Sequence, residues 1–287
     1  MRNNLANVIS RSSLQKFRHA PLPHSYSNYV GHQILLVLLT AQGLAAFALI
    51  TLGVMVKKLG AAHTIMQPRI RQEINRSGVA LLPMFLFVAL ALGFLVIGQT
   101  VSALAKVGAT SYLGSTMVIV VIRELGPLLT AMLVLARVGT ANVIELGTAR
   151  AMGEVEALEA LGIDPIHYLI MPRVIGMALG VFALTVYLIL GALASGYLFA
   201  FLMTDVALQP GDYVTQLTDA MDSLDFVLLA LKTIAFGFFI AIVTCYHGLA
   251  QPLRLEDISR VAVRAVTQGI IVCVLIDAVF IVIYLLK

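Results

Sequence analysis

Four charged residues interrupt the long apolar stretches of this sequence. Arg123 and Glu124 lie within 113–149, Lys232 within 226–247 and Asp277 within 265–286. A charge near a bilayer centre costs at least a few kcal/mol, so such residues pair with one another or serve a function. Counted from the ends that the topology below places outside, Arg123 and Glu124 lie about nine residues in, Lys232 about six and Asp277 about nine. At ~1.5 Å per residue all four share a layer roughly 9–14 Å deep. Two cations and two anions from three segments can neutralise one another. Two chemistries fit that set: a salt-bridge cluster that fixes helix packing, or a polar lining at the head of a substrate cavity that opens outward. Arg137, by the same count, falls near the inner interface, where its long stem can snorkel.

A second group of charges follows the long apolar run. From about Ala149 to Leu161, Met152, Val155, Leu158 and Leu161 recur every three residues, flanked by Glu154, Glu156 and Glu159. This pattern predicts an amphipathic helix. Gly162 is placed to end it as a left-handed cap, and Asp164-Pro165 prevents continuation. A solvated loop helix satisfies the pattern, but an apolar stripe on an otherwise exposed helix argues for a partner protein. No catalytic chemistry accompanies it. The sequence contains neither GxxxxGK[ST] nor HExxH, His167 and His247 have no matching ligand set, and no nucleophile elbow presents a serine, so we expect no catalytic residue and no metal site. Cys245 and Cys273 lie in apolar stretches and read as small core residues.

The elements that carry these residues are membrane helices. Hydrophobic residues make up 60% of the 287 and charged residues 12%, with a mean hydropathy of +0.96. That balance cannot cover a soluble domain. Candidate segments run at 34–56, 79–105, 113–149, 174–203, 226–247 and 265–286, against the roughly 20 residues that cross a bilayer. Loop charge orients them, since Lys and Arg concentrate on the cytoplasmic side. The net charge of +4 is modest and sits in those loops, which reads as membrane orientation and not as nucleic-acid binding. Both flanks of 34–56 are basic, with Lys57, Lys58, Arg69, Arg71 and Arg76 following it. That segment therefore reads as an elbow lying in the inner leaflet. The other five alternate: the loop near Lys106 is almost uncharged, Arg150 to Arg173 is charged, residues 204–225 carry Asp205, Asp212, Asp219, Asp222 and Asp225 without a cation, and Arg254, Arg260 and Arg264 follow.

The expected fold is thus an all-α integral membrane protein: an amino-terminal elbow or interfacial helix plus five transmembrane helices, with a cytoplasmic helix at about 149–163. In domain terms, residues 1–30 form a cytoplasmic tail, 31–78 the elbow and interfacial helices, and 79–287 the five-span domain. The amino terminus is inside and the carboxyl terminus outside. As a single helix 113–149 would measure roughly 55 Å against a hydrocarbon core of about 30 Å. It must kink, tilt or project inward, and Gly126-Pro127 supplies a hinge. Gly176 and Gly180 form a GxxxG pair, expected to serve close packing within the chain.

Motif order adds a resemblance. Arg123-Glu124-Leu125-Gly126-Pro127, Ala136-Arg137-Val138-Gly139-Thr140, Glu145-Leu146-Gly147, Ala157-Leu158-Glu159-Ala160-Leu161-Gly162-Ile163-Asp164-Pro165, Pro172-Arg173, Lys232-Thr233-Ile234-Ala235-Phe236-Gly237, Cys245-Tyr246-His247-Gly248 and Asp277 together resemble the MlaE/YrbE permease family over roughly residues 60–287. The usual Ala-Arg-Ala-Gly-Ser is replaced here by Ala136 to Thr140. The resemblance implies the non-catalytic permease subunit of an ABC transporter moving phospholipid or a related lipid between membranes. It further implies a homodimer in the cell inner membrane, bound to two ABC ATPase subunits that carry the ATP, and an MCE-domain substrate-binding protein. No cofactor of its own is implied. Glu154, Glu156, Leu158, Glu159 and Leu161 would then meet the ATPase, and Arg123, Glu124, Lys232 and Asp277 the lipid cavity. An ion-coupled secondary transporter and a membrane scaffold are the alternatives from other classes.

Overall fold

The computed structural model describes residues 26–58, 63–109, 112–203, 210–249 and 255–286. Most of the expected tail, and the loop residues Asp205 and Arg254, lie outside the described residues. Among these residues every regular element is helical. Six stretches are long and apolar enough to cross a membrane: Leu39–Val56, Met66–Leu104, Leu113–Ala151, Ile166–Phe199, Ser223–Leu249 and Leu255–Leu285. The protein is an all-α integral membrane protein, as its composition requires.

The chain divides into two units, Met1–Ala46 and Phe47–Lys287. The first helix, α1 (Tyr26–Lys58), is uninterrupted. Its apolar window is only 6% buried within the protein, against 50% for the windows beginning at Leu113, Ile166 and Ser223. Length and composition admit it as a span; the basic residues on both flanks are what favour an elbow.

Within the second unit follow α2 (His63–Ser77), α3 (82–107), α4 (113–151), α5 (Glu154–Ala160), α6 (166–203), α7 (Pro210–Ala220), α8 (Ser223–Leu249) and α9 (Ile258–Leu285). Helix α4 runs without a break through Gly126-Pro127. It carries two wide π-helical turns, Val118–Leu125 and Leu135–Gly139, which bracket the segment containing Pro127. Such turns insert a residue, rotate the faces that follow and release backbone groups from the regular ladder.

Helix α6 is the hub, packing on α2, α3 and α8, while α9 packs on α8 and α4. The core between them is aliphatic and aromatic, with Phe85, Met117, Leu135, Met177, Leu184 and Phe236 fully buried. The GxxxG pair acts within the chain. A side chain at Gly176 would come 2.6 Å from Glu73 Cβ, and one at Gly180 would come 2.6 Å from Ser77 Oγ. Ser77 Oγ donates to the Gly176 carbonyl at 2.8 Å, a bond that only this close approach of α2 to α6 permits.

Packing of α8 on α6 is equally tight at Gly237, where a Cβ would lie 2.5 Å from the Met177 carbonyl oxygen. Because the obstacle is backbone, Gly237→Ala is expected to destabilise the protein by about 1–3 kcal/mol. Gly53, with nothing within 4 Å of its added Cβ, should tolerate alanine with an unchanged or higher Tm. Thermal unfolding in detergent, followed by a thiol-reactive dye that reports exposure of the buried Cys245 and Cys273, checks both.

Candidate functional site

The charged site lies just before Pro127 on α4. From the neighbouring helix α8, Lys232 Nζ donates to the Arg123 carbonyl at 2.8 Å. The same ammonium lies 3.3 Å from Glu124 Oε2 and 2.7 Å from Asp277 Oδ1. Two hydrogen bonds to α4 and an ion pair to α9 thus surround the ammonium. Lys232 is fully buried, and the Asp277 side chain is 11% exposed, whereas Glu124 is 30% exposed. The open side of the cluster is therefore a carboxylate.

Arg123 behaves differently from the expectation that it joins the other three through its charge. Only its backbone carbonyl meets Lys232. The guanidinium turns to Asp225, with Nη2 to Oδ2 at 2.9 Å, and lies over the Tyr284 ring, 5.0 Å from its centroid. Asp225, which the sequence placed among the acids of an outer loop, is buried. It sits three residues into the start of α8 and accepts from the Asp222 N–H at 3.1 Å, as the third residue of a capping box does. The Asp222-x-x-Asp225 spacing before an apolar run was the available signal. The cluster thus holds two cations and three carboxylates, against the balanced pairs expected.

Above it, α7 covers the first turn of α4. Tyr213 and Leu217 face inward, and a side chain at Gly114 would lie 2.2 Å from the Gln216 carbonyl. Burial pushes the Tyr213 hydroxyl up to about 12, so it remains neutral at physiological pH.

At the other end of α4 the expected helix over 149–161 is split. Helix α4 ends at Ala151, Gly153 adopts φ 80°, and α5 occupies only Glu154–Ala160. A left-handed residue suits glycine and reverses the chain direction between helices. Met152 therefore falls in the connection, not on the stripe. Val155 is buried, Leu158 is half-buried, and Met152 and Leu161 are exposed. Glu154, Glu156 and Glu159 are exposed along with them. Gly162 closes α5 as expected, at φ 77°. The N–H of Ile163 bonds the Leu158 carbonyl and that of Gly162 the Glu159 carbonyl, both at 3.0 Å, the paired bonds of a Schellman cap.

The remaining polar groups tie helices together. Arg173 reaches Glu73 at 3.5 Å and Glu145 at 3.1 Å, and Arg76 pairs with Glu145 at 2.5 Å, so α2, α4 and α6 share one network. Arg137 is exposed on α4. His247 shares a hydrogen bond with Gln268 at 2.6 Å. No group of three potential metal ligands occurs among the described residues.

An all-α bundle with six helices long and apolar enough to cross a membrane, a buried charged cluster toward one end and an acidic helix at the other is a multi-pass membrane protein. The family model described as Permease MlaE matches residues 70–283. The chain belongs to the MlaE permease family. It is 29% identical over 171 residues to a probable ABC transporter permease protein of Rickettsia prowazekii, covering 60% of this chain and 65% of that one. A probable ABC transporter permease protein of Synechocystis is 28% identical over 200 residues, covering 70% of this chain and 75% of its own length. The chloroplastic protein TRIGALACTOSYLDIACYLGLYCEROL 1 of Arabidopsis thaliana is 28% identical over 207 residues, covering 70% and 57%. The match spans just under two thirds of the Rickettsia protein.

Removing Lys232 strands buried carboxylates. Lys232→Met is expected to lower stability by about 3–5 kcal/mol, as for one partner deleted from a buried ion pair. Lys232→Met combined with Asp277→Leu should recover part of that loss, read as Tm in the same thermal assay.

Proposed function

We propose that this chain is the permease subunit of an ABC transporter that moves phospholipid or a related lipid between membranes. Two copies form a homodimer in the cell inner membrane, with the amino terminus cytoplasmic and the carboxyl terminus periplasmic. A separate ABC ATPase binds and hydrolyses the ATP, an MCE-domain protein carries the lipid, and the permease needs no cofactor of its own. Family membership supports this reading, as do the ABC permease names of two relatives and the glycerolipid in the name of the plant relative.

The observation that carries it is the Lys232 cluster with its exposed side at Glu124. A wall that neutralises most of its own charge and leaves one carboxylate available can meet a headgroup amine or a hydroxyl while acyl chains lie against the apolar helices. In this reading α1 is the elbow, and Glu154, Glu156 and Glu159 of α5 dock basic or polar groups of the ATPase while Leu158 and Leu161 enter its groove. Closure of the ATPase pushes α5, and the spans rock to change the exposure of the cavity, with Gly126 and Pro127 as the hinge.

Two variants separate these roles. Glu124→Ala should reduce lipid transfer at least tenfold with ATPase binding within twofold of wild type. Charge reversal at Glu154 together with Glu159 should instead prevent copurification of the ATPase. Full transfer and equal assembly in both variants would remove these residue assignments, measured by transfer of a fluorescent phospholipid from proteoliposomes and by quantitative copurification.

A further inference from the structure

One arginine joins the two ends of the proposed mechanism. Arg150 stands in the last turn of α4, directly before the break at Gly153. Its Nη1 donates to the carbonyl of Leu249, the final residue of α8. The last carbonyls of a helix have no partner within it, and the helix dipole places negative charge there, so a guanidinium at that point caps the helix both by hydrogen bonding and by charge. The Nε edge of the same group faces the Glu156 carboxylate of α5 at 3.9 Å, just beyond hydrogen-bonding reach, and Nε has no hydrogen-bond partner. The planar guanidinium thus holds the inner end of α8 with one edge and presents the other to α5.

Helix α8 cannot slide freely on α4 at this level. A side chain at Gly248 would lie 2.7 Å from Leu146 Cβ, so the two backbones are in close approach beside Arg150. Farther along, at its tenth residue, α8 is held to α4 and α9 by Lys232. The eighteen residues from Lys232 to Leu249 form a single helix of roughly 25 Å. A rigid helix held at two points transmits displacement of one to the other.

We propose that Arg150 is a positioning residue that couples α5 to α8, so that displacement of α5 closes the Glu156 contact, moves the inner end of α8 and changes the geometry of the Lys232 cluster. This rests on the transporter reading above. Arg150 touches neither lipid nor nucleotide; it acts through Leu249 and Glu156.

The test uses the assembled complex with its ATPase, reconstituted in liposomes holding a fluorescent phosphatidylethanolamine, and compares wild type, Arg150→Ala, Arg150→Lys and Glu156→Gln. Arg150→Ala should lower ATP-dependent lipid transfer at least tenfold while the amount of ATPase copurifying, and its hydrolysis without added lipid, stay within twofold of wild type. Arg150→Lys, which can still donate to Leu249 but presents no second edge, should restore part of the transfer, and Glu156→Gln should fall between Arg150→Ala and wild type. Transfer by Arg150→Ala within twofold of wild type overturns the proposal. So does a loss of transfer that only parallels lost assembly or lowered Tm, which would make Arg150 merely structural. Absence of ATP-dependent transfer by the wild-type complex would instead overturn the transporter reading, and this proposal with it.

Discussion

A lysine ammonium with no access to solvent must have its charge met by protein, and this requirement organises one end of the bundle. Its partners come from two helices: the Arg123 carbonyl and the Glu124 carboxylate of α4 accept hydrogen bonds, and Asp277 of α9 forms an ion pair. Without Lys232 these carboxylates would lose the cation that neutralises them.

The second ion pair extends this arrangement outward. Asp225 caps the start of α8 and holds the Arg123 guanidinium against Tyr284, so the beginning of α8, the middle of α4 and the end of α9 meet at one point. Together the two pairs fix α8 relative to α4 and α9, while the glycine contacts at Gly176, Gly180 and Gly237 fix α6 relative to α2 and α8. Apolar packing alone would leave helices in a membrane free to slide, because lipid tails are as apolar as the side chains. Close backbone approach and buried polar pairs supply the specificity.

At the opposite end of the bundle the chain uses a different device. Gly153 and Gly162 both take left-handed conformations, turning α5 into a short, separately capped unit between α4 and α6. Its acidic residues point outward while Val155 anchors it. A helix so connected is suited to receive displacement, and its neighbours Arg150 and Leu249 lie where that displacement would enter the bundle.

The sequence by itself determined the class of fold, the positions of most apolar helices and the identity of four of the five charges in the cluster, because a charge in a long apolar run is conspicuous and helix length is set by bilayer thickness. It also marked Gly162 as a cap and assigned the GxxxG pair to packing within the chain. Only the tertiary structure decided who pairs with whom. Asp225 looked like one more acid in an acidic loop, since burial depends on where α8 begins relative to α4 and α9. Arg123 turns to Asp225 in a stretch where α4 is π-helical, and neither hydropathy nor spacing encodes such a turn. The break at Gly153 was hidden because the three-residue recurrence from Met152 to Leu161 continues unbroken through it. A periodic pattern records which residues could share a helix face, and the backbone conformation of one glycine decides whether they do.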